Sequence, residues 1–241
     1  MYNKPQNELF QYSLITALQK GIFETTDFTV RDLKKEGNFG LGTFNQLDGE
    51  LILSGNTVYR AGADGSVSIV ADETGVPFAN AVYFKTEKRF VLQPTHALSQ
   101  KALYDSIHAY MKPNQLYAVR VSGTFDTLKF RSVPKQQRPY PSLSDAAKNQ
   151  SVFEMSGISG TLQGFYTPAF LSSINVAEFH FHFLNNEHNK GGHMLAFSTG
   201  KPLLVELALL PATHLRLPDN ADFNKARLQE INQADIYKAE H

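Results

Sequence analysis

Apolar positions repeat along this chain with two periods. Residues 7–20 carry Leu9, Phe10, Leu14, Ala17 and Leu18 on one face of a helical wheel, so an amphipathic helix is predicted there, stopped by Gly21. A shorter helix is predicted over 29–36, with Thr29 and Asp32 spaced as a capping box and Gly37 closing it. The period then falls to two. Residues 38–46, 49–54, 57–61 and 66–71 read as strands, with "SGNTV" and "GADGS" supplying the Asn and Gly of tight turns. A longer helix is predicted over 96–111 with Leu98, Leu103, Ile107 and Tyr110 inward. Strand patterning returns over 115–131, 152–166, 175–184 and 193–211, and the tail "DFNKARLQEINQADIYKAEH" is polar and partly helical.

Strands and helices come in blocks rather than in strict alternation, which predicts an α+β fold with mixed or antiparallel sheets and flanking helices. The Pro-rich stretch beginning "SVPKQQRPYP" (132–141) marks the expected boundary between two sub-domains, residues 1–135 and 136–241.

Composition narrows the function. The 241 residues are 42% apolar, enough for a globular core. Lys plus Arg and Asp plus Glu number 23 each, so the electrostatic footprint of a nucleic-acid binder is missing. There is no cysteine, which excludes disulfides, thiolate metal sites and cysteine nucleophiles. The longest apolar run, "PLLVELALLPA" (202–212), carries Glu206 and is too short to span a bilayer. The opening "MYNKPQNELF" lacks the basic-then-apolar order of a signal peptide. A cytoplasmic protein with no membrane partner is expected.

Half of the eight histidines lie in "EFHFHFLNNEHNKGGHML" (178–195). On a strand, residues i and i+2 face the same way. Ala177, Phe179, Phe181 and Phe183 then face a core, while Val176, Glu178, His180, His182 and Leu184 face the other side. "NNEHNKGG" (185–192) reads as the loop of a hairpin whose return strand begins at His193, which brings three imidazoles together. A His-x-His pair alone is more often plain polarity; the third histidine raises the case for a metal with an open coordination position. Spacing does not choose among zinc, iron, copper and nickel. His188, in mid-loop, reads as solvated. "LGTFNQLDGELI" (41–52) puts Thr43 and Asn45 on one strand and Glu50 at the start of the next, and "KFRSVPKQQRPY" (129–140) ends a strand in Arg131. Taken singly, Glu50 and Arg131 read as a solvated turn residue and a loop anchor.

Six stretches in order carry a resemblance: "GTFNQLDGE" (42–50), "RSVPKQQRPY" (131–140), "GTLQGFYTP" (160–168), "HFHF" (180–183), "GGH" (191–193) and "LRLP" (215–218). Together they resemble the α-acetolactate decarboxylases from roughly residue 7 onward. The resemblance implies decarboxylation of 2-acetolactate to acetoin and carbon dioxide through a metal-stabilised enediolate, in acetoin and butanediol biosynthesis, by a zinc-dependent homodimer. Matched by position, His180, His182 and His193 take the Zn2+ ligand places, and Thr43, Glu50 and Arg131 those of the active site. "DIYKAE" makes Glu240 the match for a family glutamate that folds back over the metal. Glu178 departs from the glycine common there in the family, and on a strand it projects toward the metal side.

The implied chemistry needs a Lewis acid for the charge left by departing carbon dioxide. It needs a proton donor, Glu50 first and Glu240 second, and Arg131 for the substrate carboxylate, with Thr43 bonding substrate or orienting Glu50. Rival readings are a cupin-like metal oxygenase or isomerase, with Glu187 near the place of the cupin glutamate but Ile174 and Met194 where its glycines stand, a zinc hydrolase or hydratase, and a non-catalytic metal-binding protein.

Overall fold

A computed structural model describes residues 5–230 and 233–240; the first four residues and 231, 232 and 241 of the polar tail lie outside it. The described chain is mostly β, with two seven-stranded sheets and a few short helices. The first sheet contains β1 (Leu9–Tyr12), β2 (Phe39–Thr43), β3 (Glu50–Ser54), β4 (Thr57–Ala61), β5 (Val67–Ile69) and β6 (Phe78–Val82). The second contains β7 (Lys88–Leu92), β8 (Leu98–Ser99), β9 (Leu116–Ser132), β10 (Ser151–Thr167), β11 (Glu178–Asn185), β12 (Gly191–Thr199) and β13 (Leu203–Leu210). β14 (Thr213–Arg216) returns to the first sheet, parallel to β1. Each sheet therefore draws strands from both sides of residue 135.

The second sheet curls onto itself. β9 pairs with β13 through its first half and with β12 through its second, so β9, β10, β11 and β12 close a ring. Phe125, Phe130, Phe181, Phe183 and Phe197 share one core, with Leu103 and Ile107 of the helix α3 (Gln100–His108) packed into it. Each such side chain contributes about 1.5–3 kcal/mol by leaving water. β11 has the predicted alternation: its phenylalanines enter this core, while Leu184 packs on Ile52 and Tyr59 of the first sheet. His180 and His182 share the face of Leu184, the seam between the sheets. Gly164 of β10 keeps β11 close there, since a Cβ would meet the His180 carbonyl oxygen at 1.9 Å. Over one end of the seam, α1 (Ile15–Gln19), α4 (Leu143–Ala147) and α6 (Gln233–Glu240) pack together through Ile15, Leu18, Leu143, Ala146, Ile236 and Ala239. Among the described residues no helix is long and apolar enough to cross a membrane.

Several expectations change. The helix predicted over 7–20 divides into β1 and α1, with Ser13 between them at φ 68°. Pairing of Leu9–Tyr12 with strands on both sides outweighs a helical preference that is weak in isolation. The helix over 29–36 contracts to α2 (Val30–Leu33), where Asp32 does accept from the Thr29 N–H as the capping box requires. The helix over 96–111 shortens to α3, started by the Ser99 hydroxyl, and Tyr110 lies beyond it, half-exposed rather than inward. The strand over 193–211 breaks at Gly200–Pro202 into β12 and β13. Asn45 leaves the strand of Thr43 for a 3-10 turn, Asn45–Leu47, where its amide brackets the backbone of Thr25. β6, buried at all five residues, shows no alternation by which to predict it.

Candidate active site

The β10–β11–β12 register builds the site. His182 stands directly opposite His193, and His193 opposite Arg131 of β9. Opposed residues in a ladder project to one face, and His180 shares the face of His182 by period two. The hairpin loop is tighter than the eight residues expected, because pairing already begins at Gly191. One ring nitrogen from each of His180, His182 and His193 lies within 4.8 Å of the other two, and all three residues are buried.

The far sides of two of these rings are tied down. His182 Nδ1 donates to the Leu51 carbonyl at 2.8 Å, which leaves Nε2 facing the cluster. His193 Nε2 donates to the Glu240 carbonyl at 2.8 Å, which leaves Nδ1 inward, 3.2 Å from His180 Nε2. Backbone acceptors thus set the ring orientation, as they do for metal-bound imidazoles. Glu240 Oε2 lies 3.7 Å from His180 Nε2 and 3.8 Å from His193 Nδ1. Ligands about 2.0–2.2 Å from a tetrahedral zinc are roughly 3.3 Å apart. The His180–His193 spacing matches that separation, and a cluster of three imidazoles suits zinc or another imidazole-binding divalent metal.

Burial pushes the His182 imidazole down to about 4, helped by the Arg131 guanidinium and opposed by the Leu51 carbonyl. Burial, Arg131 and the other two imidazoles hold His193 well below its ordinary value. Both rings are therefore neutral near pH 7, the form that binds metal.

Two acids and one base flank the histidines. Glu50 begins β3, opposite Thr43 of β2, and its Oε2 is 3.4 Å from His182 Nε2. Burial pushes the Glu50 carboxyl up to about 7; the Glu240 charge adds to the rise, while Arg131 and the Val133 N–H oppose it. Burial also raises Glu240, against the pull of Arg131. Thr43 donates to the Gly49 carbonyl at 2.9 Å and so braces the turn that delivers Glu50, rather than bonding its carboxyl. Gly49 permits that turn, with φ 88° and no room for a Cβ against the Ala61 carbonyl. Arg131, 3% exposed, donates through Nη2 to the Ala239 carbonyl, and Nη2 is 3.8 Å from Glu240 Oε2. Its Nη1 is buried with no partner among the described residues. A buried guanidinium donor without an acceptor is costly, and a bound carboxylate would satisfy it.

A cavity of about 30 Å³ lies among these groups, lined also by Leu18, Leu47, Phe78, Val133 and Leu143. All seven side chains singled out from the sequence, Thr43, Glu50, Arg131, His180, His182, His193 and Glu240, gather at or beside it. Three others do not. Glu178 takes φ 63°, which breaks the strand alternation, and it makes no ion pair with any histidine among the described residues; its charge acts on Tyr166 instead. Glu187 is exposed at the loop and accepts from the Asn185 amide at 2.7 Å, away from the place a cupin ligand needs. His188 is exposed as expected, yet its Nδ1 also meets the Tyr59 hydroxyl at 3.0 Å. Gln163 was not foreseen. It stands opposite His182 in β10 and donates to the Gly40 and Leu53 carbonyls at 2.6 and 2.9 Å, clamping β2 and β3 to the second sheet. Its place opposite His182 in the ladder becomes visible only once the register is known.

Known proteins similar to this chain share one description. A family model described as Alpha-acetolactate decarboxylase matches residues 9–230. The alpha-acetolactate decarboxylase of Brevibacillus brevis is 38% identical over 98% of this chain and 82% of its own. The crystal structure of alpha-acetolactate decarboxylase from Bacillus subtilis strain 168 superposes with a TM-score of 0.92 at 31% identity, covering 97% of this chain and 99% of that one. A Staphylococcus aureus protein described as similar to alpha-acetolactate decarboxylase gives a TM-score of 0.88 at 32% identity, over 97% and 98% of the two chains.

Proposed function

The chain belongs to the alpha-acetolactate decarboxylase family of carboxy-lyases, and from that premise we propose a zinc-dependent enzyme that converts 2-acetolactate to acetoin and carbon dioxide through an enediolate. The reading extends to a cytoplasmic homodimer that serves acetoin and butanediol biosynthesis. His180, His182 and His193 would hold the ion, with the Glu240 carboxylate beside two of them. When bound, it supplies Lewis-acid stabilisation of the charge developing on the substrate's ketone and hydroxyl oxygens, worth several kcal/mol.

The other groups divide the remaining tasks. Arg131 takes the substrate carboxylate on its unpartnered Nη1, while the bond from Nη2 to the Ala239 carbonyl fixes the plane of the guanidinium. A guanidinium already oriented loses little freedom on binding. Once carbon dioxide leaves, the same charge faces the electron-rich fragment. Glu50, with a carboxyl pushed up to about 7, holds its proton near neutrality and delivers it to the reacting carbon. Thr43 braces the turn beneath Glu50. Leu18, Leu47, Phe78, Val133 and Leu143 keep bulk water from the enediolate.

The observation that carries this reading is the meeting of a three-imidazole donor set with a buried guanidinium that lacks an acceptor. The test is direct. Anaerobic incubation with 2-acetolactate should release acetoin and carbon dioxide in equal amounts, stop with a chelator, and resume with zinc. Release without metal would remove the donor set from the reaction, and oxygen consumption would favour the cupin-like alternative.

A further inference from the structure

Arg131 forms part of the wall of two cavities. One is the small space at the histidines. The other is about 960 Å³ and lies along α6, with Ala239 on its wall and Glu240 on that of the small cavity. Its remaining walls come from α1, α4, β9, β12 and the exposed side of α6.

Charge in the large cavity is lopsided. Lys20, Lys129, Arg131, Lys148 and Lys238 face it, against only Asp145 and Asp235. Asp145 is already committed to Lys148 at 2.6 Å. Lys20, Lys129 and Lys238 make no ion pair among the described residues, and Glu154, across from Lys129 in the β9–β10 register, does not reach it. The whole chain carries equal numbers of acidic and basic residues, so this local excess is not a share of a general surplus.

We propose that the large cavity is an electropositive antechamber in which Lys20, Lys129 and Lys238 gather the small carboxylate substrate before it passes to Arg131. This deepens the decarboxylase reading and rests on it. A concave, cation-lined space raises the local concentration of an anion without fixing its pose. Lysine suits that task, being a hydrated point charge on a flexible stem, whereas the planar, already oriented guanidinium of Arg131 suits the final grip. Unpaired ammonium groups also leave the anion free to move on, since no neighbouring carboxylate must be displaced. Lys129 and Arg131 are two residues apart on one strand, so they face the same side, the first exposed and the second buried.

The test uses the zinc-loaded enzyme and reads kcat and KM for 2-acetolactate at about 0.02 and 0.5 M ionic strength, where the screening length falls from roughly 20 Å to about 4 Å. The native KM should rise with salt. The Lys20→Gln/Lys129→Gln double variant should show a KM about 5- to 10-fold above native at low salt and close to native at high salt. Lys129→Glu should exceed it, and Lys101→Gln, on the exposed side of α3, should match native. A KM indifferent to salt and to these substitutions, or raised equally at both ionic strengths, overturns the antechamber. Titration calorimetry with pyruvate, a stable small keto acid, provides the same comparison without turnover. Salt-sensitive, lysine-dependent pyruvate binding in an enzyme that leaves acetolactate intact would sink the decarboxylase reading while the antechamber stands.

Discussion

The β11–β12 hairpin and the helix α6 reach the same buried point and are held there by different means. The hairpin lies inside a sheet, with β10 on one side and β9 on the other, so every ladder bond fixes the imidazoles. α6 is eight residues long and rests on Ile236, Ala239 and the bonds that Arg131 and His193 make to its last carbonyls. A helix of that length is not stable alone in water. The difference teaches that the three imidazoles are placed by folding itself, whereas the Glu240 carboxylate is placed only while α6 stays docked.

The largest effect that tests this contrast is on the hairpin. His182→Ala should leave the protein without stoichiometric metal and cut turnover by about 10³-fold or more, as loss of several kcal/mol of Lewis-acid stabilisation requires. Metal analysis beside acetoin assay checks it, and full metal retention would disprove the donor set. Glu50→Gln should retain the metal and lose about 10²–10⁴-fold in turnover, the usual worth of a general acid; near-native turnover would move the proton delivery to Glu240. Glu240→Gln should weaken metal binding by only about 10–100-fold, as for groups that support rather than build a site. If it strips the metal as completely as His182→Ala, the hairpin is not the self-sufficient half.

Stability draws the same line. Phe181→Ala, in the ring core, should cost about 3–5 kcal/mol of global stability in denaturant melts. Ile236→Ala removes a side chain of the kind that costs about 2–5 kcal/mol in a rigid core. Here the helix can undock instead, so the loss should appear as faster hydrogen exchange confined to α6. A global melt lowered equally by both would mean that α6 folds as one unit with the sheets. The smallest effect belongs to Tyr59→Phe, which deletes the bond to His188 and should cost about 0.5–1.5 kcal/mol with no change in metal content, because the ladder and not the loop sets the register.

The sequence made the hairpin legible and α6 far less so, for a physical reason. Alternation of Phe179, Phe181 and Phe183 with His180 and His182 follows from strand geometry alone, and the return of His193 needs only a short loop. Glu240 emerged through a family resemblance, since nothing in "DIYKAE" says which way a terminal helix turns. Period failed at Leu9–Tyr12, where pairing with distant partners decides between strand and helix, and at Phe78–Val82, where burial on both faces erases the alternation. The joining of Thr43 and Glu50 to the histidines depends on two sheets meeting, a relation that no local pattern encodes. Parity alone left Glu178 open between the metal side and the loop, because a positive φ at the strand entry is not written in the alternation.

The acceptors at Leu51, Ala239 and Glu240 have a consequence for how this centre ages in evolution. All three are main-chain oxygens. As far as these bonds are concerned, the side chains at 51 and 239 can drift, and no point substitution deletes the groups that orient His182, His193 and Arg131. Swapping the 51–52 amide for an ester, which weakens the Leu51 oxygen as an acceptor and leaves every side chain intact at the cost of the Ile52 N–H, would reach His182 by a route that none of the twenty amino acids offers.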